Sequence, residues 1–239
     1  MSQDRDSQDR DIEGLLEAAD VAQQAWATEL VQHRAGKLAA LAGMLSDRHQ
    51  EFVAAIERPG ASDAEKLASE VLPLADAIRF NCAIARRTLA PRAYGGWGGA
   101  WWLGRVSVRT LRDPWGTVLI LSPSNYPLYL PGTQLVQALV AGNAVVVKPA
   151  PGHSAVLELL KGCLLDAGVP GDLLQILQPD IEAGLAAMRS GVDKVVLTGS
   201  LGTGKAVLRE LAETVTPATM ELSGCDAVFV LPHADVNLA

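Results

Sequence analysis

The chain has few aromatic residues and no excess of positive charge. The charge balance excludes one class of binding protein. Aromatic residues are 5% of the 239 residues, and 20 Lys and Arg stand against 27 Asp and Glu, for a net charge of −7. Proteins that bind nucleic acid non-specifically neutralise its phosphates with clustered Lys and Arg, so we expect no nucleic-acid partner. Apolar residues make up 49% of the chain, which excludes global disorder.

Cysteines are also few, and long apolar runs are absent. Cys82, Cys163 and Cys225 form neither a CxxC pair nor a disulfide framework. With four His besides, we expect no metal site. There is no run of about 18 apolar residues to span a membrane, and the polar N-terminus lacks the apolar core of a signal peptide. We therefore expect a cytoplasmic protein with no membrane partner.

The first ninety residues are dominated by helical patterns. Residues 2–11 read SQDRDSQDRD, a polar tandem repeat, which predicts a disordered tail over 1–11. Leu and Ala then recur at three- and four-residue spacing from residue 12, which predicts helices. Pro59 and Gly60 interrupt this pattern, and Ser62 with Glu65 predicts a capping box at the start of the next helix. We therefore assign residues 12–90 to a mainly helical part.

A glycine- and tryptophan-rich stretch follows. Residues 94–102 read YGGWGGAWW, where four Gly make a helix implausible. Residues 105–111 alternate as a half-exposed strand does, so we assign 91–112 to a small β flap. Its Trp residues form either a partner-binding or substrate-entry loop, or an oligomer contact. Exposed aromatic residues are common at interfaces, which favours the oligomer contact.

From residue 117 the chain alternates between strand and helix patterns. Short apolar runs predict strands at 117–121, 144–147, 173–177, 194–197 and 227–231, and amphipathic stretches predict helices at 133–141, 154–167, 181–189 and 203–214. Such βαβ units predict an α/β fold with a Rossmann-like, doubly wound parallel sheet over 113–239. Ligands of these sheets bind at the carboxyl ends of the strands, so the residues after each run are candidates for function.

Two of these strand ends carry an amide and an ammonium group. Asn125 lies in the segment SPSNYP, where two prolines make a rigid turn. Its amide is suited to donate to an oxyanion, although an Asn that merely bonds the turn backbone is the more common case. Lys148 directly follows the second strand. It either reaches the ribose hydroxyls or phosphates of a nucleotide or lies on the surface.

The later strand ends carry a glycine-rich turn and a carboxylate. Residues 198–205 read TGSLGTGK, and backbone N–H groups at such a helix start can bind a pyrophosphate. This is not a P-loop, because Lys205 is followed by Ala206 rather than Ser or Thr. Glu221 lies in the apolar stretch TMEL. It is either a carboxylate in an apolar setting, suited to a general base, or a strand-edge Glu that faces water.

The order of these motifs carries more information than any one of them. PSNYP, GNAVVVKP, LTGSxxxGK and ELSG follow one another along the chain, and together they resemble the aldehyde dehydrogenase superfamily over about residues 12–239. The resemblance implies oxidation of a small-molecule aldehyde to a carboxylic acid with NAD or NADP. A cysteine thiolate attacks the aldehyde, hydride passes to the cofactor, and water hydrolyses the thioester.

The resemblance also implies roles for individual residues. Asn125 matches the amide that stabilises the oxyanion, and Glu221 matches the general base that activates water or the thiol. Lys148 matches the lysine that holds the adenosine ribose, and the glycine-rich turn lies at the pyrophosphate and nicotinamide. The implied cofactor-binding residues are Leu121, Ser122, Lys148, Thr198, Gly199, Ser200 and Gly204.

Three residues depart from the family pattern. Ser124 replaces a bulky aromatic residue before the catalytic Asn, and Ser223 stands where the family has Gly, which is strained if that site needs a positive φ. Pro151 stands three residues after Lys148, where many members have a Glu that bonds the ribose hydroxyls. Without that carboxylate, repulsion of a 2′-phosphate is reduced, so we expect NADP+ to be accepted alongside NAD+.

A further departure concerns the nucleophile. The family's cysteine lies a few tens of residues beyond the Glu, whereas residues 222–239 are all that follow Glu221 here; Cys225 is too near to match. We therefore expect a partial chain that acts with a complementary catalytic half or as a homo-oligomer. The alternative is a non-catalytic dinucleotide-binding or oligomerisation module. A CoA-dependent acylating enzyme is disfavoured, because hydrolytic members need the base that Glu221 provides.

Overall fold

The N-terminal part of the molecule is helical. The computed structural model describes residues 2–94, 102, 104, 106–224 and 227–235, with backbone alone for 2–9 and 94. Its first elements are α1 Ser2–Thr28, α2 Val31–Ala39, α3 Leu41–Asp47, α4 His49–Ala55, α5 Asp63–Lys66, a π-helical turn Leu67–Val71, and α6 Leu72–Leu89. No helix in this described part of the chain is both long and apolar enough to cross a membrane.

The start of α1 differs from the expectation. The helix begins at Ser2, whereas the sequence predicted a disordered tail over residues 1–11, of which Met1 lies outside the described residues. Ile12 and Leu16 are buried in the core that α1 shares with the helix Ile181–Arg189, and this burial holds α1 in place from residue 12 onward. Once a helix is nucleated, adding one more residue costs little. The polar repeat contains no Gly or Pro to stop it.

The capping box at α5 is confirmed. The Ser62 Oγ accepts from the Glu65 N–H at 3.3 Å, and the Glu65 Oε2 accepts from the Ser62 N–H at 2.7 Å. At the helix start, the side chain of each of these two residues therefore accepts a hydrogen bond from the backbone N–H of the other. The chain then runs through the π-helical turn into α6 without a break.

The C-terminal part is a five-stranded parallel sheet, so the α/β, Rossmann-like prediction is confirmed. Its strands are β3 Thr117–Leu121, β4 Ala144–Lys148, β5 Leu174–Ile176, β6 Lys194–Gly199 and β7 Ala218–Leu222, in the order β5-β4-β3-β6-β7. The helices are α7 Tyr129–Ala141, α8 Ser154–Asp166, α9 Ile181–Arg189 and α10 Leu201–Ala212. Separately, β1 Arg92–Tyr94 pairs antiparallel with the exposed β2 Val108–Thr110.

Helices cover both faces of this sheet. Val118 and Ile120 of β3 join the core formed with α2, α3, α6, α7 and α8. Leu119 and Leu121, which alternate with them, join the core formed with α1, α9 and α10. All five residues of β3 are buried, as a central parallel strand requires. The strand order reverses between β3 and β6, which opens a crevice at their carboxyl ends.

The predicted strand at residues 227–231 was wrong. These residues form no strand in the part of the chain that the structure describes, and their apolar side chains are exposed, Phe229 by 87%. An apolar run becomes a strand only when a neighbouring backbone completes its hydrogen-bond ladder. The strand β7 is the last one of the described sheet. Residues 227–231 are therefore apolar, but no described strand pairs with them to complete a hydrogen-bond ladder.

Three side chains from the N-terminal helices donate hydrogen bonds to the carboxyl end of α7. Arg34 is buried and its Nε donates to the Val140 carbonyl at 3.2 Å. The Trp26 Nε1 donates to the Leu139 carbonyl at 2.7 Å, and Gln23 donates to the same end of the helix. The last carbonyl groups of a helix have no N–H partner within the helix. The three side chains supply donors to this end of α7, and these hydrogen bonds join the helical part of the molecule to the sheet part.

Replacing Arg34 should show how much this joint contributes. We expect Arg34→Met to lower the free energy of unfolding by about 3 kcal/mol, because it leaves buried carbonyls without a charged donor. The exposed Arg209 of α10 supplies the control, since Arg209→Met should change the value by less than about 0.5 kcal/mol. Urea unfolding measures both. Equal effects for the two variants would contradict this role of Arg34.

Candidate active site

The strand register brings the predicted site residues to one edge of the sheet. Leu121 pairs with Lys148 of β4 on one side and with Leu197 of β6 on the other. Thr198 of β6 pairs with Glu221 of β7. Because these strands are parallel, the segments that follow them leave the sheet at the same edge. Residues far apart in the sequence therefore surround one crevice.

A first cavity of about 440 Å³ lies between these strand ends and helices α9 and α10. Its lining contains both polar and apolar residues. Five predicted cofactor-binding residues line it: Leu121, Ser122, Lys148, Thr198 and Gly199. The helices contribute the apolar wall: Ile181, Leu185, Met188 and Val207.

Lys148 presents a cation to this cavity. The side chain is half-buried, and no hydrogen bond or ion pair joins its ammonium to another described residue. Burial lowers the pKa of Lys148, and the nearby Asp180 carboxylate opposes this in part. A partly desolvated ammonium without a protein partner gains more from a ligand than a surface lysine does. The geometry thus fits the nucleotide-binding interpretation.

The glycine-rich turn ends in a helix N-terminus. Ser200 caps α10, and its Oγ accepts from the Thr203 N–H at 3.1 Å. The N–H groups of Leu201 and Gly202, in the same first turn, have no acceptor within the helix. Together with the helix dipole, such N–H groups are suited to a phosphate-type anion. The Ser200 hydroxyl is used by the helix itself, which leaves backbone amides for the ligand.

Gly204 has a different place from its neighbours in the motif. It lies inside α10 and is buried, and it is not among the described residues that line the cavity. A Cβ at this position would come within 2.7 Å of the Leu222 Cδ1. The glycine therefore lets α10 pack closely on β7, and its direct contact with a cofactor stays a prediction.

A second cavity of about 470 Å³ adjoins the first. The two share Ser124, Thr198 and Gly199 in their linings. Asn125 and Glu221 both line the second cavity. The predicted oxyanion donor and the predicted base, which come from different strand ends, therefore face one space.

The Asn125 amide is available for a ligand. The side chain is exposed, and no hydrogen bond joins its amide to the described turn backbone, so the structure does not support the alternative in which it only bonds that turn. An Asn amide offers two N–H donors. Its position is set by the backbone of the turn, which Pro123 and Pro127 restrict.

Glu221 faces solvent. Of the two alternatives for this residue, the structure supports the strand-edge Glu that faces water, because the side chain is exposed while Met220 and Leu222 are half-buried. The reason is that β7 is the last strand of the described sheet, so the face of β7 that carries Glu221 is open. A carboxylate there contacts both the cavity and water.

Gln134 is a site residue that the sequence did not reveal. It lies on α7, and its Nε2 donates to the Thr198 Oγ1 at 3.1 Å. Thr198 lines both cavities, so Gln134 orients a hydroxyl at their junction. In the sequence Gln134 is one of several polar residues in a mainly apolar helix, with Thr133 and Gln137, and no motif distinguishes it.

The three departures from the family pattern have distinct positions. Pro151 lines the first cavity together with Lys148. Ser124 lies between the two cavities. Val215 is the sole non-glycine residue with a positive φ in the described chain, so Ser223 does not carry the backbone strain that was considered for it.

Neither described cysteine lies at the site. Cys82 is half-buried on α6, and burial raises the pKa of its thiol to about 11. Cys163 is buried on α8, and burial raises the pKa of its thiol although the Arg48 guanidinium lies 3.4 Å from its sulfur. Both behave as small apolar side chains. Cys225 lies outside the described residues.

Comparison with known proteins shows which family the chain belongs to. The sequence matches the Aldehyde dehydrogenase family over residues 2–239, and the chain belongs to that family. It is 32% identical over 215 residues to the 4,4'-diapolycopene aldehyde oxidase of Methylomonas sp, which covers 90% of this chain and 40% of that protein. It is 30% identical over 230 residues to the N-succinylglutamate 5-semialdehyde dehydrogenase of Pseudomonas fluorescens (strain Pf0-1), covering 95% and 46%.

A solved relative shows the same fold. The structure of 3,6-anhydro-L-galactose dehydrogenase in complex with NADP superposes with a TM-score of 0.78 at 27% identity, over 90% of this chain and 44% of that one. Members of the family use NAD or NADP. The chain spans less than half the length of each of these three relatives.

The raised thiol pKa of Cys82 has a measurable effect. At pH 8 about one molecule in a thousand carries the thiolate at a pKa of about 11, against about one in ten at the ordinary 9.0. Higher intrinsic nucleophilicity recovers part of this loss. We expect iodoacetamide to label Cys82 about tenfold more slowly than a cysteine peptide.

Peptide mass spectrometry of the native chain measures this rate. Cys163 is fully buried and should label more slowly still. In guanidinium chloride both thiols should react at the peptide rate, which is the control. Labelling of native Cys82 at the peptide rate would contradict the burial that the structure assigns to it.

Proposed function

We propose that this chain is the NAD(P)-binding part of an aldehyde dehydrogenase that oxidises an aldehyde to a carboxylic acid. The observation that carries the proposal is the pair of adjoining cavities at the carboxyl edge of the sheet. The first is lined by Lys148 and by Thr203 in the first turn of α10, and the second is lined by Asn125, Ser200 and Glu221. Thr198 lines both cavities, so it lies between the residues proposed to bind the cofactor and those proposed to act on the aldehyde carbonyl.

The residues of the first cavity fit a dinucleotide. Its apolar wall on α9 and α10 suits an adenine ring, and the Lys148 ammonium suits the ribose hydroxyls. The backbone N–H groups of Leu201 and Gly202 do not line the cavity but lie in sequence between Gly199 and Thr203, which do, and they suit the pyrophosphate. Bound in this way, NAD(P) supplies the acceptor for the hydride that leaves the aldehyde carbon.

The residues of the second cavity fit the remaining chemistry. The Asn125 amide donates to the oxygen of the aldehyde as negative charge develops there. The Glu221 carboxylate takes a proton from the attacking thiol or from water. Its exposure to solvent at the edge of β7 gives that proton a way out. The Thr198 hydroxyl, held by Gln134, lies between the two functions.

The nucleophilic thiol comes, in this proposal, from a complementary catalytic half. Cys82 and Cys163 support this, because both lie on helices away from the two cavities and have raised pKa values. The fraction of each relative that this chain matches, 40% and 46%, also supports it. We further propose a homo-oligomer in the cytoplasm, with the exposed β2 strand as a contact.

The alternative is a dinucleotide-binding or oligomerisation module without catalysis. Such a module needs the first cavity but neither Asn125 nor Glu221. Mixing the chain with a catalytic half that carries the cysteine separates the two functions. Aldehyde-dependent NAD(P)H formation supports the enzyme, and cofactor binding without turnover supports the module. Turnover by the chain alone that is lost in Cys225→Ala would place the nucleophile in this chain.

Cofactor binding is tested most simply at Lys148. We expect Lys148→Met to weaken the binding of NAD+ and NADP+ by at least about tenfold, because a charge-assisted hydrogen bond to a buried group contributes about 1.5–3 kcal/mol. Isothermal titration calorimetry on the chain measures this. Lys161→Met on α8, away from the lining residues, is the matched control. If the wild-type chain binds neither cofactor, the proposed function fails.

Cofactor choice is tested at Pro151. The wild-type chain should bind NADP+ within about tenfold of NAD+, because no carboxylate stands at this position to repel a 2′-phosphate. Pro151→Glu should weaken NADP+ binding by about tenfold or more and leave NAD+ binding near its original value. Pro151→Gln separates charge from shape and should preserve NADP+ binding. Rejection of NADP+ by the wild-type chain would contradict the expectation.

A further inference from the structure

Glu70 is a fully buried carboxylate next to the turn that carries Asn125. It lies in the π-helical turn Leu67–Val71, with no exposed surface. Its Oε2 accepts from the Leu128 N–H at 2.8 Å and from the Tyr129 N–H at 3.3 Å. These residues are the N-cap and the first residue of α7. A buried carboxylate is costly unless it is paired, and the helix N-terminus provides that pairing.

Arg58 completes the group around this carboxylate. Its Nη1 lies 3.7 Å from the Glu70 Oε1 and donates to the Ser69 Oγ at 2.9 Å. The same guanidinium lies over the Tyr126 ring, 5.3 Å from its centre, in a cation–π contact. Tyr126 directly follows Asn125. The two charged residues therefore hold the turn at Tyr126 and at the start of α7.

We propose that Glu70 and Arg58 are positioning residues for Asn125. An oxyanion donor is effective when it is fixed in place before the reaction. Asn125 is exposed and makes no side-chain hydrogen bond to the described turn, so its placement depends on the backbone around it. Glu70 and Arg58 fix that backbone at the start of α7 and at Tyr126. The catalytic part of this inference rests on the proposed function of Asn125.

The anchoring is tested first by hydrogen exchange on the whole chain. Glu70→Gln keeps the shape of the side chain and removes its charge. We expect exchange at residues 124–130 to become at least tenfold faster, while peptides of β4 and α10 exchange as in the wild type. Unchanged exchange at 124–130, or an equal increase over the whole sheet, would overturn the proposal.

The same chemical change at an exposed carboxylate provides a control away from the turn. Asp193 also accepts a backbone N–H, from Thr117 at 2.7 Å, but at the amino end of β3. Asp193→Asn is thus the same chemical change away from the site, and it should leave residues 124–130 at the wild-type rate. If Glu70→Gln does not fold, Tyr126→Leu tests the same anchor at the half-exposed ring. It should give the same local increase, and wild-type exchange would overturn the proposal.

The link to Asn125 is tested by a double-mutant cycle in the chain assembled with its catalytic half. Glu70→Gln should lower kcat at least tenfold and leave the KM for the cofactor within twofold. In an Asn125→Ala background the same change should alter kcat less than twofold, because the residue it positions is gone. Equal losses in both backgrounds would show a purely structural role and overturn the proposal.

Arg58→Lys retains the charge and should recover part of the activity that Arg58→Met loses. Equal losses in the two Arg58 variants would contradict a positioning role for this cation. If the wild-type assembly oxidises no aldehyde, the proposed function fails, and the exchange measurement alone decides whether Glu70 and Arg58 anchor the turn.

Discussion

The register of the parallel strands is the constraint on which the site depends. Leu121, Lys148 and Leu197 are neighbours across three strands, and Thr198 is paired with Glu221 across the next pair. A slip of one residue in any strand would send its side chains to the opposite face. Buried alternation on both faces of the sheet prevents such a slip. The proposed cofactor site and catalytic cleft thus depend on the same packing that holds the core together.

Helix α7 connects this sheet to the helical part of the molecule. Gln23, Trp26 and Arg34 donate to its carboxyl end, and Glu70 accepts from its amino end. The turn that carries Asn125 leads directly into α7. The N-terminal helices therefore fix the helix at both ends, and through it they set the position of the proposed oxyanion donor.

The sequence predicted what local patterns determine. Residues 117–121 were predicted with correct bounds, because a buried apolar run is flanked by Gly116 and Pro123. Residues 227–231 have a similar run, but a strand also needs a paired backbone, which the run does not specify. From the sequence alone, the charged residues Arg34 and Glu70 would be assigned to the surface. Their burial depends on distant backbone groups of α7, so no local pattern could reveal it.

A crystal structure of the chain with NADP+ tests the central claim most directly. The claim is that the carboxyl edge of the sheet binds the dinucleotide between β4 and α10. We expect the pyrophosphate within hydrogen-bond distance of the Leu201 and Gly202 N–H groups, and a ribose beside the Lys148 ammonium. A cofactor bound at another surface, or a pyrophosphate away from the α10 N-terminus, would contradict the claim.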